Sequence, residues 1–243
     1  MRGFGKSDVG KVRVGNEDAI YLNNEGPAPL ANLFALADGM GGHNAGDVAS
    51  KQAISSFCEY FNNHKHFVYT EEFLANALLY ANTCVHESAR NNPEYFGMGT
   101  TFSAVTADEN NLYYVHVGDS RIYTITEGKM TQLTRDHSLV AEMAEKGLIT
   151  PEEARNHPEK NVITRVIGTD AHVEVDKGYI SLKNLEYILI CSDGLTDMLT
   201  DNEIFEIIAT EGEIPDKIDE LIAKANAGGG DDNISVVVVG WNE

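Results

Sequence analysis

The chain is poor in the residues that staple, stiffen or anchor a protein. Its 243 residues include three cysteines, six prolines and one tryptophan. Cys58, Cys84 and Cys191 are odd in number, far apart and without a C-x-x-C pair, which argues against a disulfide framework or a zinc knuckle. Long hydrophobic runs are missing too. The longest, Val236-Val237-Val238-Val239, falls far below the ~20 residues that span a bilayer. The first residues, Met1 to Asp8, lack the apolar stretch of a signal peptide, so a cytoplasmic protein without membrane contact is expected. Basic residues are scarce: 18 Lys and Arg stand against 38 Asp and Glu, for a formal charge of −20. That balance argues against a nucleic-acid partner, because phosphate backbones are held by Lys and Arg. The same negative field attracts cations.

What is present suffices for a globular core. Apolar residues make up 42% of the chain, and a domain of this mass buries roughly 70% of its unfolded surface. There is no internal repeat, no low-complexity segment and no linker, so residues 1–243 are expected to form one domain. Helical spacing of apolar residues is clear in 45–62, with Ile54, Phe57, Cys58 and Phe61 on one face. It recurs in 71–90, where Phe73, Leu74, Ala77, Leu78, Ala81 and Val85 form a stripe behind the N-cap candidate Thr70. It appears again in 215–227, with Pro215 at the start and Gly228 at the stop. A shorter helix is expected at 201–210. Strands are expected at 19–22, 33–37, 101–107, 111–117, 120–125, 186–191 and 234–239, all short, rich in β-branched or aromatic residues and bounded by Gly, Asp or Asn. Gly118-Asp119 sits between two of them as a hairpin turn would. The order is not a regular βαβ alternation, which favours an α+β layered protein. Residues 136–170, with a short helical pattern and a Thr150-Pro151 helix start, read as a mobile excursion from the sheet core.

The informative pattern is where the acids fall. Asp38 ends a strand before Gly39-Met40-Gly41-Gly42. Asp119 follows a strand across Gly118. Asp193 ends a strand before Gly194, and Asp232 follows Gly228-Gly229-Gly230 just before the last strand. Glu17-Asp18 precedes the first. A lone Asp-Gly at a strand end is usually a turn. Several that converge would repel one another unless divalent cations neutralise them. All-oxygen ligands select hard ions, Mg²⁺ or Mn²⁺, and a pair of such ions suits phosphoryl hydrolysis.

These stretches resemble the metal-dependent type-2C protein Ser/Thr phosphatases in their bacterial form, nearly end to end. The resemblance is carried by Arg13-Val14-Gly15-Asn16-Glu17-Asp18-Ala19, Ala37-Asp38-Gly39-Met40-Gly41-Gly42-His43, Gly99-Thr100-Thr101 and Val117-Gly118-Asp119-Ser120-Arg121. Further along it is carried by Leu133-Thr134-Arg135-Asp136-His137-Ser138, Ile163-Thr164-Arg165-Val166-Ile167-Gly168, Ile190-Cys191-Ser192-Asp193-Gly194-Leu195 and Gly229-Gly230-Asp231-Asp232-Asn233-Ile234. It implies a four-layer αββα sandwich of two antiparallel sheets flanked by antiparallel helices, with a flap subdomain at about 136–170.

It also implies two Mn²⁺ or Mg²⁺ ions in a cleft. Asp38 would bridge them, the Gly39 carbonyl and Glu17 would complete one shell, and Asp193 and Asp232 would hold the other. Asp119 would take a third, weaker ion. Asp18 would orient metal-bound water, and Arg13 would clamp the phosphoryl oxygens. The implied reaction is hydrolysis of phosphoserine or phosphothreonine by a metal-bridging water or hydroxide without a phosphoenzyme. The implied partners are phosphoprotein substrates and an opposing Ser/Thr kinase, with the protein itself a monomer. Many eukaryotic members carry His directly after Asp-Gly, where this chain has Met40, so the leaving-group acid is either His43 or a metal-bound water.

Other candidates carry less chemistry. Arg121 is expected to make a structural ion pair and Asp136 to support the flap. His116 fits a satisfied sheet histidine, and His64 and His66 fit a solvated loop. Ser192 lacks a G-x-S-x-G elbow. Cys191, Cys58 and Cys84 are expected to be buried packing.

Overall fold

The computed structural model describes residues 1–25, 32–41, 45–64, 68 and 70–241. Three strands open the chain: β1 (Arg2–Asp8), β2 (Asp18–Asn23) and β3 (Leu33–Met40). Two long helices follow, α1 (Ala45–Asn63) and α2 (Glu71–Asn91). The strand block holds β4 (Gly99–Thr100), β5 (Phe102–Ala107), β6 (Asn111–Val117), β7 (Arg121–Thr126) and β8 (Lys129–Gln132). Then come α3 (Leu139–Glu145), α4 (Pro151–Arg155), β9 (Asp176–Ser181), β10 (Leu185–Cys191), α5 (Asp193–Thr196), α6 (Asp201–Ile208), α7 (Ile214–Gly228) and β11 (Ile234–Gly240).

One sheet runs β1-β11-β10-β7-β8 and the other β2-β3-β5-β6-β9, with β4 beside β3. Every strand pair is antiparallel. The two-residue period of a strand explains the layers. On β3, Leu33, Ala35 and Ala37 face a core shared with α1 and α2, while Phe34 and Leu36 face the space between the sheets. On β11, Val236 and Val238 pack under α6 and α7, and Val237 and Val239 meet Phe34 between the sheets. Both faces of the central strands are buried, which is why they read as unbroken apolar runs. The order is helices, sheet, sheet, helices, as expected.

Local signals place the helices. Thr70 caps α2 by accepting from the Phe73 N–H, and Thr150 and Thr200 close reciprocal capping boxes with Glu153 and Glu203. Helix α7 begins one residue before Pro215, and its C-cap is Gly229 rather than Gly228.

Four strands escaped the sequence reading: β1, β4, β8 and β9. In β1 (RGFGKSD) two glycines and three charged residues lower strand propensity, yet it pairs with β11 from Arg2↔Gly240 to Asp8↔Ile234. Gly118-Asp119 is not a hairpin turn. β6 and β7 lie in different sheets, so these residues carry the chain across the sandwich. Cys191 is buried, but Cys58 and Cys84 are only half-buried.

Residues 136–170 carry α3 and α4; a bridge between Ser138 and Ile163 closes the base of the segment, and one between Thr100 and Ile167 ties it to the body. No described helix is long and apolar enough to cross a membrane.

Candidate active site

The site lies where strand ends from both sheets meet. Asp38, near the end of β3, stands opposite Asp18 of β2. Its main chain is pinned on both sides. The Asp38 N–H donates to Thr101 Oγ1 at 2.9 Å, and its carbonyl accepts from the Thr101 N–H at 2.8 Å and the Thr100 hydroxyl at 2.9 Å. Gly39 follows because nothing larger fits: a Cβ there would run into the carbonyls of Gly46 and Glu17. The first turn of α1 therefore sits against the strand end. Ser50 on that helix donates to the Glu17 carbonyl at 2.6 Å.

The other sheet supplies Asp193, the first residue of α5, and Asp232, just before β11. Two small polar residues tie the halves together. Ser192, fully buried, donates to Asp18 Oδ2 at 2.9 Å and accepts from the Ser235 N–H at 2.9 Å. Asn233 accepts from the Glu17 N–H at 2.8 Å and donates to the carbonyls of Val9 and Gly15, each at 2.9 Å. Ser192, Asn233 and Thr101 were not expected as site residues. The only sequence signal is that each is a small polar residue beside an acid or a motif glycine-threonine turn.

The acids that meet here act on one another. Burial, and then the charges of Asp18, Asp193, Asp119 and Asp232, hold the Asp38 carboxyl well above the usual range. Burial, and then Asp119, Asp197, Asp232 and Asp18, do the same to Asp193. Burial pushes Asp18 up to about 6 and, with Asp136, pushes Asp119 up to about 7. Oδ1 of Asp18, Asp119 and Asp193 is in each case buried without a hydrogen-bond partner. Such groups ask for positive charge. The donors are all oxygen, which fits a hard divalent cation. Among the described residues, no three acid, His or Cys side chains stand close enough to form a ready-made cage. Asp232 is paired with Arg13 and Asp18 is bonded by Ser192, and an ion such as Mg²⁺ keeps several waters in its shell.

Arg13 stands at the rim, its Nη2 2.7 Å from Asp232 Oδ2, with about half of its side chain exposed. His43 lies outside the described residues, as does His66. Arg121 makes the expected structural pair: Nε and Nη2 meet the Asp136 carboxylate at 2.7–3.0 Å, and Nη1 reaches the Tyr123 hydroxyl. His116 is buried and satisfied, with Nδ1 2.9 Å from Ser103 Oγ and Nε2 3.0 Å from the Gly118 carbonyl. The Cys191 thiol is pushed up to about 12 by burial, so no thiolate nucleophile exists there. A cavity of about 350 Å³ opens beside Asp119 and Asp193 under α3 and α4. Lys160 closes one side of it with an ion pair to Asp197 at 2.6 Å.

The sequence matches the family described as protein phosphatase 2C over residues 12–214. Protein phosphatase PhpP of Streptococcus pneumoniae serotype 2 is 39% identical over 241 residues, which are 98% of this chain and 96% of the relative. The crystal structure of serine/threonine phosphatase Stp1 from Staphylococcus aureus matches with a TM-score of 0.91 at 37% identity, over 99% of this chain and 95% of that one. The catalytic domain of the phosphatase PstP, crystallised with two manganese ions, matches with a TM-score of 0.86 at 36% identity, over 98% and 96%. The chain belongs to the protein phosphatase 2C family and is a serine/threonine protein phosphatase of that type.

Proposed function

We propose that the protein hydrolyses phosphoserine and phosphothreonine in proteins with two hard divalent ions, Mn²⁺ or Mg²⁺, held by Asp38, Asp193, Asp232, Glu17 and the Gly39 carbonyl. Asp119 takes a third and weaker one. The observation that carries this is the set of buried, partly unpartnered carboxylates gathered from distant parts of the chain. When bound, such ions polarise the phosphoryl group and activate water at neutral pH.

The chain's own residues do the rest. Arg13 leaves Asp232 and offers parallel N–H groups to two phosphoryl oxygens, orienting phosphorus for in-line attack. Asp18, fixed by Ser192 and Ser235, holds water in the cleft by accepting its proton in a hydrogen bond. No side chain becomes phosphorylated: Ser192 is fully buried and already bonded at both ends, and Cys191 is a buried thiol. The leaving alkoxide takes its proton from water in the open cleft or from His43. Substrates are phosphoproteins made by a Ser/Thr kinase in the same cytoplasm, a pairing that rests on the family resemblance.

The test is hydrolysis of para-nitrophenyl phosphate and of a phosphothreonine peptide with Mn²⁺, with EDTA, and after Asp38→Ala or Asp193→Ala. Metal-dependent turnover lost in both variants is expected. Turnover that survives chelation would defeat the mechanism, and none with any metal would leave a phosphoprotein-binding module.

A further inference from the structure

Gly118 carries the chain from one sheet to the other immediately before Asp119. It has a positive φ of 114°, and a Cβ there would press on Thr101 Cβ at 2.6 Å. Both polar groups of this residue are held by histidines. His137 donates its main-chain N–H to the Gly118 carbonyl at 2.7 Å. Its Nδ1 accepts from the Gly118 N–H at 3.0 Å. His116 adds Nε2 to the same carbonyl at 3.0 Å.

An imidazole that accepts at Nδ1 carries its proton on Nε2. In His137 that nitrogen lies 3.3 Å from Asp176 Oδ2. Arg165 Nη1, 3.0 Å from the same nitrogen, donates to Asp176 Oδ1 at 2.8 Å. The ring is 5% exposed, and with this tautomer its Nε2–H faces Asp176 while Arg165 bonds the same carboxylate.

His137 is also the root of the flap. Its carbonyl accepts from the Thr164 N–H at 2.8 Å, and two residues on the Leu139 N–H donates to the Val162 carbonyl at 2.9 Å. The outgoing and returning arms of 136–170 therefore close at the residue that grips Gly118.

We infer that His137 is a positioning residue, which holds the Gly118 peptide and thereby aims the Asp119 carboxylate at the cleft, so that the set of the flap root governs cation affinity at Asp119. The inference rests on the metal-dependent reading above but concerns only how one ligand is held. The Asp119 Oδ1 is buried without a partner. No bond fixes that oxygen, and the carboxylate's recorded support is its own main-chain N–H, so its direction follows the backbone that carries it.

The test is calorimetric titration of the metal-free protein with Mn²⁺, comparing His137→Leu, His137→Gln and His137→Asn, each alone and with Asp119→Asn. The Asn amide oxygen falls where Nδ1 was, and the Gln oxygen falls nearer Nε2. Leu and Gln leave the buried Gly118 N–H without an acceptor and are expected to weaken the weakest Mn²⁺ site by about tenfold, while Asn stays within about twofold of wild type. In the Asp119→Asn background the three are expected to be equal. With Asp119 intact, equal affinities across the three variants or Gln and Asn behaving alike would each overturn the inference, as would an effect that persists once Asp119 is replaced. If the Leu variant does not fold, the Asn and Gln pair decides. Nitrogen-15 NMR of the metal-free protein gives a second readout: an Nε2–H tautomer is expected at His137, and a proton on Nδ1 would overturn the inference. Hydrolysis of para-nitrophenyl phosphate by the wild type, followed separately, shows whether the phosphatase reading itself holds.

Discussion

Arg13 and Asp232, 219 residues apart in sequence, form an ion pair at 2.7 Å on the rim of the cleft. The proposed phosphate clamp thus rests on a proposed metal ligand. Loading the site and binding phosphate compete with the same contact. Replacing Arg13 by Lys keeps the charge but loses the planar fork that meets two oxygens. For Arg13→Lys we expect kcat/KM on a phosphothreonine peptide to fall by about tenfold, and for Arg13→Ala by about a hundredfold. Steady-state kinetics at saturating Mn²⁺ checks this, and an unchanged Arg13→Ala would remove Arg13 from substrate binding.

Stability and function should oppose each other at Asp38. Without metal its carboxylate is buried among four others that raise its pKa. Asp38→Asn is therefore expected to be more stable than wild type in EDTA, by of order 1–3 kcal/mol, and inactive. Adding Mn²⁺ should raise the melting temperature of wild type and leave Asp38→Asn nearly unmoved. A variant less stable than wild type in EDTA would mean that the acids are not strained.

His116 supplies a pH dependence of its own. Burial first, then His137, lowers its pKa from the ordinary 6.5 to about 4. Between those values the unfolded chain binds a proton that the folded one refuses. Stability from this group is fully present above pH 6.5 and is lost as pH falls towards 4, to a ceiling of about 3 kcal/mol. His116→Gln should flatten that part of the stability curve. Urea unfolding at pH 7 and pH 4.5 measures it, and an identical slope in both proteins would contradict a buried neutral imidazole.

The Arg121 and Asp136 pair is mostly buried, with side chains 25% and 14% exposed. Arg121→Leu strands the Asp136 carboxylate and is expected to cost about 3 kcal/mol in denaturant unfolding. Removing both charges, Arg121→Met with Asp136→Leu, should recover most of that. A double variant as unstable as the single one would point to the Tyr123 hydroxyl, which also bonds Arg121.

Much of this architecture was legible beforehand because the elements that carry it have strong local signals. The stripe of Leu74, Ala77, Leu78 and Ala81 could only be one helix face, and the valines of β11 could only be a strand buried on both sides. The acids were legible because each stands beside a glycine at a strand end. The strand β1 was not, because its glycines and charges carry no alternation and its pairing partner lies at the far end of the chain. Nor were Ser192 and Asn233. A serine or asparagine beside an acid is common, and only the closing of two sheets turns their hydroxyl and amide towards Asp18 and Glu17.

The amino-acid order alone determined which segments are apolar on one face or two, where the helices other than α5 start, and that acids fall at strand ends, since these depend on side-chain spacing within a few residues. Tertiary structure alone decided that Gly118 crosses between sheets instead of turning back, that Arg13 meets Asp232, and that His137 holds the backbone before Asp119. Those depend on contacts between segments far apart in the chain, whose register is set only when the two sheets close on a shared core.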